Sequence, residues 1–239
     1  MGIYFICFII ITFSAIVQGA TSFGFSLIAV PLLSLVMPLS DITPMLVLFS
    51  LLLNIILFSK VQGHVNKKQI IILVIFGLIS VPLGVHGLKS LDESIIKSVV
   101  GIIIIISAIS LNFGYKLHFK NQSFAYGLTG FFSGILNGAS SLSGPPVILM
   151  LSNEGVNKDN FRKTLATYFM VLNLFTIPIF FTSGMLTKEV LLNTGKLLPA
   201  MLIGTALGIG FGNKLPEDKF KKITLVLIFI MGIMTLISA

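Results

Sequence analysis

Two short stretches of this 239-residue chain concentrate neutral hydrogen-bonding groups inside otherwise apolar sequence. The first is Gln18-Gly19-Ala20-Thr21-Ser22. The second is Asn137-Gly138-Ala139-Ser140-Ser141, continuing through Ser143-Gly144 to Pro145-Pro146. Hydroxyls and amides can hold a small oxyanion by O–H and N–H donation, and with no opposite charge present the ion can also leave. A helix starting just after each stretch would add unpaired N–H groups and a positive dipole end to the same anion site. Pro145 and Pro146 suit the first turn of such a helix, where the N–H they lack is not missed. Asn54 and Asn173, each inside an apolar run, bring two more amides. The candidate substrate-binding set is Gln18, Gly19, Ala20, Thr21, Ser22, Asn54, Asn137, Gly138, Ala139, Ser140, Ser141, Ser143, Gly144 and Asn173. Helix packing competes for the same residues, because small side chains let membrane helices approach and amides cross-link them.

Ionisable groups are few. Asp41, beside Thr43-Pro44, reads as a helix N-cap or as a substrate- or proton-linked carboxylate. His86, near the end of an apolar run, reads as a candidate for a proton-linked role. Arg162, the only arginine, sits with Lys158 and Lys163 at the start of another run, with Glu154 and Asp159 as neighbours to pair with. It reads as an orientation anchor or as an attractor of anions. These three are the candidates for coupling or gating. Three scattered histidines and the lone Cys7 make no metal cluster, and no nucleophile–base pair or phosphate-binding loop is present. No enzyme and no cofactor is expected.

The elements that must position these residues are membrane spans. The chain is 55% hydrophobic and 10% charged, with mean hydropathy +1.05, against about 25% charged for a soluble domain. Residues 42–59, 69–88, 94–113, 164–182, 190–211 and 220–238 are apolar runs of spanning length. Residues 3–38 and 123–153 are longer runs, each broken at one of the donor clusters. The start has no basic residue before Cys7, so it reads as a span, not a signal peptide. Gly204, Gly208, Gly210 and Gly212 give one span a small-residue face, read as packing. The net charge of +8 lies in the connections, where lysines face lipid headgroups and cytoplasm, so no nucleic-acid partner is expected. A homodimer is among the assemblies this composition allows.

The chain also repeats itself. Residues 13–23 and 132–142 are identical at six of eleven positions, at an offset of 119 that also lays Asn54 on Asn173. The expected architecture is an all-α integral membrane protein of two halves. Each half is a broken or re-entrant hairpin followed by three transmembrane helices: residues 1–113, a cytoplasmic linker at 114–122, and residues 123–239. If each broken run returns to its starting side, the halves are inverted, and loops 60–68, 114–122, 153–163 and 213–222 share one face. That face then carries twelve basic residues against four on the other. Basic residues accumulate on the cytoplasmic side, which puts both termini outside. Interrupted hydrophobic segments at matching places in two halves are a signature of secondary transporters.

Three elements carry a family resemblance: Gly-Ala-Thr-Ser-Phe-Gly-Phe (19–25), Gly-Ala-Ser-Ser-Leu-Ser-Gly-Pro-Pro-Val (138–147) and Thr-Leu-Ala-Thr-Tyr-Phe (164–169). With them the chain resembles the sulfite exporter TauE/SafE family over essentially its whole length. Ser143-Gly144-Pro145-Pro146 is the most specific match. Relatives often carry more glycine where this chain has Thr21, Ser22 and Phe23. The resemblance implies a bacterial-type inner-membrane transporter of small anions, typically sulfur oxyanions such as sulfite or thiosulfate, or organosulfonates. An anion channel and a non-transporting membrane subunit are the alternative readings.

Overall fold

The computed structural model describes residues 2–112, 119 and 121–216, with isolated positions from 218 to 233. Among these residues all regular structure is helical: α1 (Gly2–Thr21), α2 (Phe25–Leu33), α3 (Leu39–Lys60), α4 (Lys67–Ser90), α5 (Glu93–Asn112), α6 (Gln122–Ser140), α7 (Gly144–Asn153), α8 (Lys158–Thr182) and α9 (Lys188–Lys214). Five of them, α1, α3, α4, α8 and α9, are long and apolar enough to cross a membrane. Side-chain caps set several helix starts. Asn66, Asn121, Asn157 and Thr187 each accept a backbone N–H from the first turn of α4, α6, α8 and α9. Ile71, Ile75, Ile79 and Leu83 form an exposed apolar stripe along α4. Such a stripe suits hydrocarbon, not water.

The spans follow the hydropathy with small shifts, except that α8 starts at Lys158, not near 164. The Asn157 cap pulls the loop's basic residues into the first turns of the helix. The span expected at 220–238 and the linker at 114–122 lie largely outside the described residues. The breaks also differ from expectation. Gln18–Thr21 and Asn137–Ser140 are the last turns of α1 and α6, and only residues 22–24 and 141–143 leave the helix. Clusters of Gly, Ala and Ser read as breaks in soluble sequence. In a packed membrane helix they serve close contact instead.

Each broken run is a hairpin with unequal arms. At 1.5 Å per residue, α1 and α6 reach about 30 Å while α2 and α7 reach about 15 Å. The two ends of the bundle are tied by side chains. At one end Tyr4 of α1 donates to Asn193 of α9 at 3.0 Å, and Lys89 of α4 donates to the Ser183 carbonyl after α8 at 3.0 Å. At the other end Tyr126 of α6 donates to Glu154, which follows α7 and also accepts from Gln69 of α4. The second hairpin thus begins and ends at the same end of the bundle.

The long arms are held by glycine. Residues 12, 16 and 20 of α1 lie against Gly204, Gly208 and Gly212 of α9, so the two helices run side by side in one direction. Gly130, Gly134 and Gly138 of α6 lie in the same way on α4 at Leu73, Gly77 and Val81. The contacts repeat in detail. A Cβ on Gly19 would strike Thr205, Gly208 and Ile209, and one on Gly138 would strike Val81, Gly84 and Val85. Each long arm therefore packs on a helix from the other half of the sequence. Gly84→Ala and Gly208→Ala drive a methyl into the carbonyls of Ile135 and Ile16. Each is expected to destabilise by about 1–3 kcal/mol in thermal unfolding of the detergent-solubilised chain. Gly195→Ala, with nothing within 4 Å, is expected not to destabilise it.

Candidate functional site

The two hairpin tips share an unusual backbone. Ser22 (φ 66°) and Ser141 (φ 59°), 119 positions apart, are the non-glycine residues with positive φ among the described residues. Left-handed geometry costs an L-residue about 1–2 kcal/mol, so the surroundings must hold it. Each tip closes with the same bond, Ser22 N–H to the Gln18 carbonyl at 2.6 Å and Ser141 N–H to the Asn137 carbonyl at 2.9 Å. Thr21 and Ser140 match as well, donating to the carbonyls of Val17 (2.8 Å) and Leu136 (3.1 Å). The tips meet where Ser26 Oγ and Ser141 Oγ lie 3.1 Å apart.

Amides brace the tips from behind. Gln18 Oε1 accepts the N–H of Phe25 at 2.9 Å, so the side chain of α1 caps α2, and Gln18 Nε2 donates to Asn54 Oδ1 at 3.2 Å. The second half has asparagine in place of glutamine, one methylene shorter. Asn137 Nδ2 donates to Thr176 Oγ1 at 3.0 Å and does not bond to Asn173, the partner of Asn54. Asn137 Oδ1 and Asn173 Oδ1 are both buried without a partner. Ser133 Oγ accepts from Tyr168 at 2.9 Å and donates to the Ser143 carbonyl at 2.6 Å, which clamps the second tip.

Between the tips and α3 lies a small cavity. Its polar wall is Gln18, Ser26, Ser50, Ser141 and Ser143, and its apolar wall includes Phe23, Leu27, Leu142 and Phe169. It has about 20 Å³ of free room, enough for about one water. No ionisable side chain among the described residues lines it. The half-helix N-termini supply fewer donors than expected, because Pro145 and Pro146 have no N–H and that of Phe25 is taken by Gln18.

The family model described as Sulfite exporter TauE/SafE matches residues 7–235. The chain belongs to the sulfite exporter TauE/SafE family. No curated protein and no solved structure matches it. Membership and the apolar helices make it a multi-pass membrane transporter.

Within this TauE/SafE chain the candidate residues divide three ways. Gln18, Ser141, Ser143 and Gly144 line the cavity. Asn54, Asn137 and Asn173 are buried behind it, and Ser22 is buried with an unpartnered hydroxyl. Gly19, Ala20, Gly138 and Ala139 sit where the long arms touch α9 and α4, while Thr21 and Ser140 secure helix ends. Ser26 and Ser50 line the cavity and escaped the sequence reading. Ser50 lies one turn before Asn54, and that i, i−4 spacing on one helix face was the available signal.

Asp41, His86 and Arg162 lie away from the cavity lining. Asp41 is in the first turn of α3, but the cap position is Pro38 and the carboxylate caps nothing. His86 is exposed near the end of α4. Arg162 is 1% exposed. It has no carboxylate within 4 Å among the described residues, so the expected pairing with Glu154 or Asp159 is replaced by a different contact. Arg162 Nη2 donates to the Gly19 carbonyl at 3.1 Å, and Nη1 to Asn213 Oδ1 at 3.1 Å. The guanidinium thereby caps an open carbonyl in the last turn of α1 and ties it to α9. The strained tips give a direct test. Ser22→Val and Ser141→Val put a β-branched residue in left-handed geometry, while Ser→Gly relieves it. Each valine variant is expected to unfold at lower temperature than its glycine counterpart, a difference of about 1–2 kcal/mol.

Proposed function

We propose that the chain carries a small sulfur oxyanion, such as sulfite or thiosulfate, or a small organosulfonate across a bacterial-type plasma membrane. Transport runs by alternating access around the cavity between the tips. One observation carries this reading: the two tips and α3 converge on a neutral wall of hydroxyls and one amide, with no carboxylate to repel an anion and no cation to trap it. A family named for sulfite export supports the substrate class.

The room for about one water fits a contracted state with no substrate. An oxyanion then needs the tips to part, and the Ser26–Ser141 hydrogen bond is the polar link between them to be broken. Weak links of this kind suit a gate, since a neutral hydrogen bond contributes only about 1 kcal/mol net. Movement of an anion outward is favoured by an inside-negative potential, by about 2.3 kcal/mol per charge per 100 mV. We take the halves, 1–113 and 123–239, as inverted repeats with residues 60–68 and 114–122 on the cytoplasmic face. The matched glycine contacts and the twelve-to-four split of basic residues support that reading.

Two experiments test it. In proteoliposomes the wild-type chain is expected to take up one of these sulfur anions with saturation. Ser141→Ala combined with Ser143→Ala is expected to cut uptake more than tenfold while the protein stays folded; wild-type flux in the double variant removes the site. Uptake that rises linearly with concentration would favour a channel. In a Cys7→Ser background, Gln62→Cys and Asn121→Cys are expected to label from one face of the membrane and Ser90→Cys from the other. Labelling of positions 62 and 121 from opposite faces overturns the inverted topology.

A further inference from the structure

Ser50 of α3 stands where amides from the two halves converge. Asn54 Nδ2 donates to Ser50 Oγ at 3.0 Å, and Asn173 Nδ2, reaching across from α8, donates to the same oxygen at 3.0 Å. A serine hydroxyl has two lone pairs and one proton, so both lone pairs are taken. The proton has no acceptor among the described residues. Four other buried serines spend theirs on carbonyls: Ser14 on Ile10, Ser80 on Gly77 and Phe131, Ser133 on Ser143, Ser140 on Leu136. Ser50 donates to none of its neighbours, is 7% exposed, and forms part of the cavity wall.

The amide that sets this arrangement is itself fixed. Asn54 Oδ1 accepts from Gln18 Nε2, so Asn54 must turn its nitrogen to Ser50. Asn173 likewise turns its nitrogen to Ser50, which leaves the hydroxyl proton unspent. The repeat does not supply a second such group, because the position 119 residues on from Ser50 is Phe169, on the apolar wall.

We infer that Ser50 is a substrate-binding residue: Asn54 and Asn173 hold its hydroxyl as an obligate donor, and the proton goes to an oxygen of the transported anion. The inference deepens the transport reading above and rests on it. It also assigns the two asparagines to positioning the hydroxyl, not to contacting the ligand. A bound cation would find no free lone pair on Ser50, so the group selects for acceptors.

The test is uptake of sulfite, thiosulfate and a small organosulfonate by the reconstituted full chain, comparing wild type with Ser50→Thr, Ser50→Cys and Ser50→Ala. A thiol is a little larger than a hydroxyl and both accepts and donates weakly, so Ser50→Cys keeps an acceptor for the Asn173 amide that Ser50→Ala removes, while Asn54 Nδ2 retains the Ser50 carbonyl in both. For the anion that wild type transports, Ser50→Cys is expected to raise KM about tenfold or more, as loss of a hydrogen bond to a charged group predicts. Ser50→Thr is expected to stay within about twofold, and the unfolding temperature of Ser50→Cys to stay near that of wild type. Wild-type KM in Ser50→Cys overturns the role of Ser50 and leaves the transport reading standing. Absence of saturable uptake by the wild-type chain overturns the transport reading and the Ser50 role with it.

Discussion

A helix interrupted inside a bilayer exposes backbone N–H and C=O groups to a medium that cannot hydrogen-bond them, at a cost of several kcal/mol each. This chain interrupts helices twice, at residues 22–24 and 141–143, and much of its polar sequence answers that cost. Gln18 caps the open N–H of Phe25, Ser133 takes the carbonyl of Ser143, and Arg162 takes that of Gly19. The glycine faces serve the same need from outside. By letting α9 and α4 lie directly on the long arms, they enclose the breaks in protein and exclude lipid. Side chains that look like a ligand site in sequence are in part the means by which a site can exist there at all.

The same requirement explains a division of labour along each hairpin. Glycines and alanines one or two turns before the tip make contact between helices. Hydroxyls at the helix end, Thr21 and Ser140, bond back to the preceding turn. Only residues at or just past the tip are left with groups to offer the cavity. The halves differ where one methylene differs: Gln18 reaches both Phe25 and Asn54, while Asn137 leaves two amide oxygens unpaired. Related halves that are not equivalent can respond unequally to the same ligand.

The described spans and the two broken runs, whose tips lie 119 residues apart, were legible in the sequence because each rests on local pattern. Apolar length marks a span, and a polar cluster in an apolar run marks something that must be compensated. Roles that depend on burial were not legible. Arg162 sits among lysines and reads as surface charge, but it is enclosed and bonded to the far end of α1. Gly19 and Gly138 fit a ligand-facing backbone and a packing contact equally well until the neighbouring helix is known. Ser26 and Ser50 were missed for a more specific reason. A search by repeat highlights positions that match, and their counterparts are Pro145 and Phe169, so asymmetric contributions to a shared cavity are filtered out.

That asymmetry bears on how a neutral cavity can choose an anion. Without a fixed positive charge, discrimination must come from the count of free donors and free acceptors in the wall. Thr21 and Ser140 are already spent on carbonyls, and the Gln18 amide spends its oxygen on Phe25 and one of its two N–H groups on Asn54. What faces the cavity is mostly O–H, with Phe23, Leu27, Leu142 and Phe169 opposite. A site so built offers protons on one side and hydrocarbon on the other. It favours a ligand that accepts hydrogen bonds over one that donates them, and it leaves binding weak enough for release. For a carrier that must empty at every cycle, a buried cation would raise affinity and slow departure alike. On the proposed reading the Ser50 hydroxyl, held as a donor by the two amides behind it, selects the ion without holding it.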